Sequence, residues 1–121
     1  MAKKVLIVED NELNMKLFHD LLEAQGYETL ETREGLAALS LAREHKPDLI
    51  LMDIQMPVMD GYEATRQIKA NPELKSIPVI AVTSYALSGD EQKTRDAGCD
   101  GYIAKPYSPR QMLAKVKEIL G

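Results

Sequence analysis

Several short apolar runs in this sequence end on polar residues of a restricted kind. VLIV (residues 5–8) is followed by Glu9 and Asp10, and LILM (49–52) by Asp53. VIAV (79–82) is followed by Thr83 and Ser84, and YIA (102–104) by Lys105 and Pro106. Three carboxylates held close together repel one another, and one stays protonated unless a cation compensates. An oxygen-only donor set favours a hard divalent ion, and a few carboxylates with waters suit Mg²⁺. No His or Cys stands at these run ends, which disfavours zinc. Lys105 supplies a point positive charge for an anion and Thr83 a hydroxyl donor. A nucleophilic carboxylate, a hard metal, a lysine and a hydroxyl together suit phosphoryl transfer onto Asp53.

That chemistry requires elements that bring the run ends to one place. The runs at 5–8, 49–52 and 79–82 are apolar on consecutive residues, as expected of strands covered on both faces, with weaker candidates at 27–30 and 102–104. Helical patterns lie between them. Leu13, Leu17, Leu21 and Leu22 form one expected stripe, flanked by Met15 and Phe18; Leu36, Leu39, Leu41 and Ala42 form the next. Ala64 and Ile68, with Tyr62, mark a third, and Met112, Leu113, Val116 and Leu120 the last. A charged stretch at 90–97 is a weaker helix candidate. Gly26, Gly35, Pro47, Pro57, Gly61, Pro72, Pro78, Gly89, Gly98 and Pro106 fall where the periods change, and Ser108-Pro109 suits the start of the final helix. The pattern predicts β-α repeated five times: a parallel sheet with helices on both faces and ligands bound beyond the C-terminal strand ends.

Composition narrows the function classes. The chain has 121 residues, 45% hydrophobic and 28% charged, which predicts one globular domain spanning 1–121 with no output domain. Its net charge is −4 with scattered Lys and Arg, against a nucleic-acid surface, which needs a basic stripe. Apolar runs fall far short of the ~20 residues that span a bilayer, so no membrane association is expected. MAKKVLIVED turns acidic early and lacks a cleavage site, unlike a secretory signal. A single cysteine, Cys99, cannot form an internal disulfide; a cytoplasmic location and apolar packing of that thiol are expected.

Taken in order, Glu9-Asp10, Asp53 with Met56-Pro57 and Asp60-Gly61, Thr83-Ser84, and Lys105-Pro106 resemble the receiver domain of two-component response regulators along the whole chain. The resemblance implies a flavodoxin-like five-stranded parallel sheet in strand order 2-1-3-4-5. It implies that Asp53 accepts a phosphoryl group from a histidine kinase or phosphotransfer domain, and that Asp10, Asp53 and the Gln55 backbone carbonyl hold Mg²⁺, with Glu9 reaching it through water. Lys105 and Thr83 match the residues that contact the phosphoryl oxygens, Tyr102 matches an aromatic switch residue, and the bond before Pro106 is expected to be cis. The implied product is a phosphorylation-dependent binding surface, built on the 90–97 helix, the fifth strand and the last helix, for a downstream protein effector. A phosphorylation-dependent homodimer is left open.

Within the family, the first helix (NELNMKLFHDLLEAQGYET) and KPDLILMDIQ are similar to single-domain cell-cycle receivers. PVMDGYEATRQIKA and SYALSGDEQKTRDAGCDGYIAKPYSPRQ look more like receivers attached to hybrid kinases. In the family the first helix docks the kinase helices, which makes Asn14, Met15 and Phe18, expected to be exposed, the docking candidates. One rival is a Mg²⁺-dependent phosphatase of the haloacid dehalogenase type, but Gln55 stands where its second Asp is required. A flavodoxin-like nucleotide binder would need a Gly- or Ser/Thr-rich loop where EDNELN stands. Excision from a hybrid kinase is a further alternative.

Overall fold

Burial on both faces turns the apolar runs into strands. A computed structural model describes residues 3–9, 11–53, 61–83, 98–104 and 109–120. The elements in chain order are β1 (Lys4–Val8), α1 (Glu12–Ala24), β2 (Glu28–Thr32), α2 (Gly35–His45), β3 (Leu49–Asp53), α3 (Gly61–Ala70), β4 (Val79–Thr83), β5 (Gly101–Ala104) and α4 (Pro109–Leu120). The strands form one five-stranded sheet in the order β2-β1-β3-β4-β5, all pairings parallel. The helix expected at 90–97 lies outside the described residues.

Because side chains alternate across a strand, each run divides its residues between two cores. Leu6, Val8, Ile50, Met52, Val79 and Ala81 pack with Ala38, Ala42, Ala64 and Ile68 of α2 and α3. Val5, Ile7, Leu49, Leu51, Ile80 and Val82 pack with Met15, Phe18, Leu22, Met112 and Val116 of α1 and α4. Nearly every residue of β1, β3 and β4 is thus spent on packing.

Two helical stripes differ from expectation. On α1 the core-facing residues are Met15, Phe18 and Leu22, spaced three and four apart, while Leu13 is 79% exposed and Leu17 39%. Of the four leucines only Leu22 lies on the buried face; Leu21 packs partly buried against it, and Leu13 and Leu17 mark the exposed flank. Met15 and Phe18, expected as exposed docking residues, are therefore core residues, with Phe18 among the largest fully buried side chains. On α2 the buried pair is Ala38 and Ala42, with Leu39 and Leu41 only partly buried. These small residues belong to the same core cluster as Ala64 and Ile68 of α3.

Two aspartates stand just before a strand and hold its neighbour in register. Asp48 donates its backbone N–H to the Lys4 carbonyl at 2.8 Å and accepts the Lys4 N–H on Oδ2 at 2.8 Å. Asp100 repeats this with Val79, at 2.7 and 2.8 Å. Such bonds to a charged acceptor are stronger than neutral ones. Asp100 Oδ2 also accepts from Lys69 Nζ at 2.8 Å, and that ammonium donates to the Lys75 and Ile77 carbonyls at 3.1 and 2.8 Å. All three Lys69 protons have acceptors, so the half-buried ammonium is fully compensated. Gly98 lies beside this cation at φ +100°, where an added Cβ would stand 2.9 Å from Lys69 Cγ. Both its backbone conformation and its surroundings favour glycine.

Truncating Phe18 to alanine should lower unfolding stability by about 3–5 kcal/mol in urea denaturation. Leu13→Ala should change it by less than about 0.5 kcal/mol.

Candidate functional site

In a parallel sheet all strands end at one edge, so register decides which residues meet there. β1 pairs with β3 as Val8↔Met52, and β3 with β4 as Asp53↔Val82. β4 pairs with β5 as Thr83↔Ala104, with Tyr102 opposite Ala81. The backbone positions of Asp53 and Thr83 and the residue after β1, Glu9, therefore share the C-terminal edge on three adjacent strands. With strands about 4.8 Å apart, this edge runs roughly 10 Å from β1 to β4. Between β1 and β3 the strand order reverses direction, which opens the crevice where ligands bind in such sheets.

Glu9 is a buried group at this edge. It is 1% exposed, so a carboxylate has been taken almost wholly out of bulk water. Its Oε2 accepts the Asn11 backbone N–H at 3.4 Å, and its own N–H donates to the Thr32 carbonyl at 3.0 Å. Asn11 caps α1, its Oδ1 accepting the Asn14 N–H at 3.0 Å. Backbone N–H groups at the start of α1 are thereby taken up by the Glu9 carboxylate and the Asn11 amide oxygen. Next to it, Arg33 Nη2 donates to Glu12 Oε1, linking the turn after β2 to the first turn of α1. The Arg33 guanidinium, by hydrogen bond first and Coulombic attraction second, holds the Glu12 carboxyl below the usual carboxylate range.

For Asp53, Thr83 and Tyr102 the described structure covers backbone position. Asp10, Gln55, Lys105 and Pro106 lie outside the described residues. Among the described residues no group of three or more His, Cys, Asp or Glu is arranged to hold a metal. Fit to Mg²⁺ therefore rests on donor chemistry: a buried carboxylate oxygen beside the crevice, with further carboxylates adjacent in sequence and in register. Such a set suits a hard, oxygen-seeking cation.

Sequence reasoning missed Asp48, Asp100, Lys69 and the Glu12–Arg33 pair. A signal for the two aspartates was present, since PDLI places Asp directly before an apolar run and CDGYIA places it one glycine ahead of one. His19 Nδ1 lies 2.9 Å from Glu31 Oε1 and 3.0 Å from Thr29 Oγ1, in a shallow groove of about 470 Å³ between α1 and β2. Cys99 is half-buried and packs against the α2/α3 core, and burial pushes its thiol pKa up, away from reactivity. Among the described residues, no helix is long and apolar enough to cross a membrane.

Comparison with known proteins yields a consistent set of relatives. Residues 5–117 match the family model of the response regulator receiver domain. The chain is 60% identical to the polar-differentiation response regulator DivK of Brucella anthropi over 121 residues, all of this chain and 98% of that protein. DivK of Brucella ovis is equally similar. The likeness to single-domain receivers, expected only in the first half, thus extends to the end of the chain. Among solved structures, the receiver domain of sensor histidine kinase PA1611 from Pseudomonas aeruginosa superposes with a TM-score of 0.93 at 35% identity, covering 100% of this chain and 99% of that one. That structure is described with a magnesium ion coordinated in its active site cleft. The phosphorylated cyanobacterial phytochrome response regulator RcpA gives a TM-score of 0.84 at 31% identity, covering 98% of this chain and 91% of that one.

Asn11→Ala should remove the side-chain cap and cost about 1 kcal/mol in thermal or urea unfolding, and Asn11→Ser should recover most of it.

Proposed function

The chain belongs to the response regulator receiver domain family, and from that premise we propose that residues 1–121 act as one phosphoacceptor switch centred on Asp53. The observation that carries this reading is the register that sets Asp53 at the sheet edge beside the buried Glu9 carboxylate. In the proposed reaction an Asp53 carboxylate oxygen attacks the phosphorus of a phosphohistidine. The new O–P bond forms as the P–N bond breaks, and the departing electron pair returns to the imidazole nitrogen, which takes up a proton. Lys105 and Thr83 would bind the phosphoryl oxygens. Asp10, Asp53, the Gln55 carbonyl and, through water, Glu9 would hold Mg²⁺, which when bound neutralises charge on the phosphoryl group. Loss of the phosphoryl group would follow attack by water on phosphorus, which regenerates the Asp53 carboxylate. The protein then serves as a self-acting switch rather than an enzyme with a separate substrate.

The phosphoryl group adds about 1.5–2 negative charges, by analogy with other phosphorylated residues. Thr83 would move toward the new acceptor and Tyr102 into the space it leaves, biasing a two-state surface read by a downstream effector. Turning ~1% active into ~99% requires about 5.5 kcal/mol of preference for one state. A few charge-assisted hydrogen bonds, at ~1.5–3 kcal/mol each, are enough. Family membership leaves the phosphatase and nucleotide-binding rivals without support. A cytoplasmic setting matches the lone, half-buried Cys99.

Burial changes the proposed docking residues. Met15 and Phe18 face the core, so the kinase or phosphotransfer helices would meet Leu13 and Leu17, which are exposed on α1, with Asn14 beside them. These leucines are the exposed large apolar side chains among the described residues, and such anchors dominate binding when a partner covers them.

Incubation with acetyl phosphate and Mg²⁺ should add one phosphoryl mass to the wild type and none to Asp53→Asn, and chelation by EDTA should suppress the gain. Modification elsewhere in the Asp53→Asn protein would refute the assignment. Leu13→Glu with Leu17→Glu should slow transfer from a protein phosphodonor about tenfold, the effect of ~1.4 kcal/mol, and leave acetyl phosphate labelling unchanged. Equal slowing with both donors would place the defect outside docking.

A further inference from the structure

The acidic edge has a support that the phosphoacceptor chemistry does not itself require. β2 is an edge strand, hydrogen-bonded within the sheet only to β1. At and beyond the last paired residues, two links continue the contact between the two chain segments, and a third bond shapes the turn after β2. The Glu9 N–H donates to the Thr32 carbonyl at 3.0 Å. Thr32 Oγ1 accepts the Glu34 N–H at 3.3 Å, which folds the turn after β2 back on itself. Between these, Arg33 reaches across to Glu12 in the first turn of α1. Glu12 follows the N-cap Asn11, whose backbone N–H donates to Glu9 Oε2. The guanidinium therefore grips the helix one residue beyond the group that contacts the Glu9 carboxylate.

We propose that the Glu12–Arg33 pair is a positioning device for metal binding, tying the turn after β2 to the start of α1 so that Glu9 is held at the mouth of the crevice. The inference rests on the phosphoacceptor reading, since Glu9 is there assigned to the metal's surroundings. Neither member of the pair needs to touch the ion. Both are more than half exposed, at 55% and 75%, so the pair is individually weak and its effect on affinity should be a few-fold rather than orders of magnitude.

The sign of the effect separates positioning from the ordinary field of two nearby charges. Acting only through space, the Arg33 cation opposes Mg²⁺ and the Glu12 anion attracts it. Removing Arg33 would then tighten binding, while removing Glu12 would weaken it. Acting as a clamp, the two must be lost or kept together, so either removal weakens binding. High salt should reduce the clamp's contribution, because the pair is open to solvent.

The experiment is Mg²⁺ titration by isothermal calorimetry of wild type, Asp53→Asn, Arg33→Gln, Glu12→Gln, the Glu12→Gln/Arg33→Gln double variant and Arg33→Lys, each with its urea unfolding curve. Positioning requires Arg33→Gln and Glu12→Gln each to weaken Mg²⁺ affinity roughly threefold. The double variant should be no weaker than the singles, and Arg33→Lys should bind nearly as wild type does. Tighter binding in Arg33→Gln, additive losses in the double variant, or unchanged affinity in the singles would overturn it. So would losses that track a fall in unfolding midpoint. If wild type and Asp53→Asn bind Mg²⁺ alike, the phosphoacceptor reading itself fails. If wild-type binding depends on Asp53 while the pair's variants match wild type, only the clamp is refuted.

Discussion

The constraint that governs this molecule is that β1, β3 and β4 are buried on both faces. A strand with helices above and below has no solvent-facing side on which to carry a polar group. Leu6 and Val8 face one core while Val5 and Ile7 face the other, and the same division runs through β3 and β4. Burying an ionised group among them would cost several kcal/mol. Polar chemistry is thereby pushed to the strand ends, and parallel pairing gathers those ends on one side. Packing and site placement follow from the same burial.

The opposite edge shows the same logic put to structural use. Asp48 and Asp100 each stand one residue before a strand and take up the first N–H of the neighbouring strand. Edge amides that would otherwise seek water are satisfied, and the register is set from the end remote from the crevice. Lys69 adds a cation to one of these locks and donates to two carbonyls of the segment leading into β4. A shift of one residue in register would exchange the cores of a strand and move Asp53 relative to Glu9. The remote aspartates and the crevice are thus coupled through strand pairing.

Helix α1 has two apolar sides with different duties. Met15, Phe18 and Leu22 fill the core shared with α4, while Leu13 and Leu17 remain open to solvent. Its N-terminus is also where the Asn11 cap, the Glu9 carboxylate and the Glu12–Arg33 pair converge. The turn beside the proposed phosphoryl site and the face proposed for recognition therefore belong to one helix. The acidic first turn is favoured there as well, since a helix N-terminus carries partial positive charge.

How much was legible in the sequence follows from the range of each interaction. Periodicity is local, and the runs at 5–8, 49–52 and 79–82 determined the strands and the alternation of elements. The polar residues closing those runs determined which groups could stand at the crevice, because burial leaves them no other place. The buried face of α1 was not determined locally. Leucines at 13, 17, 21 and 22 and the set Met15, Phe18 and Leu22 are both acceptable helical stripes, and only packing against the sheet and α4 selected the second. The same holds for Ala38 and Ala42, which share their core cluster with Ala64 and Ile68 of α3. Contacts between residues far apart in the chain, such as Lys69 with Asp100 and Arg33 with Glu12, depend on which elements the fold sets side by side. Local pattern constrains what each segment can be; the closing of the sheet decides which charges become neighbours.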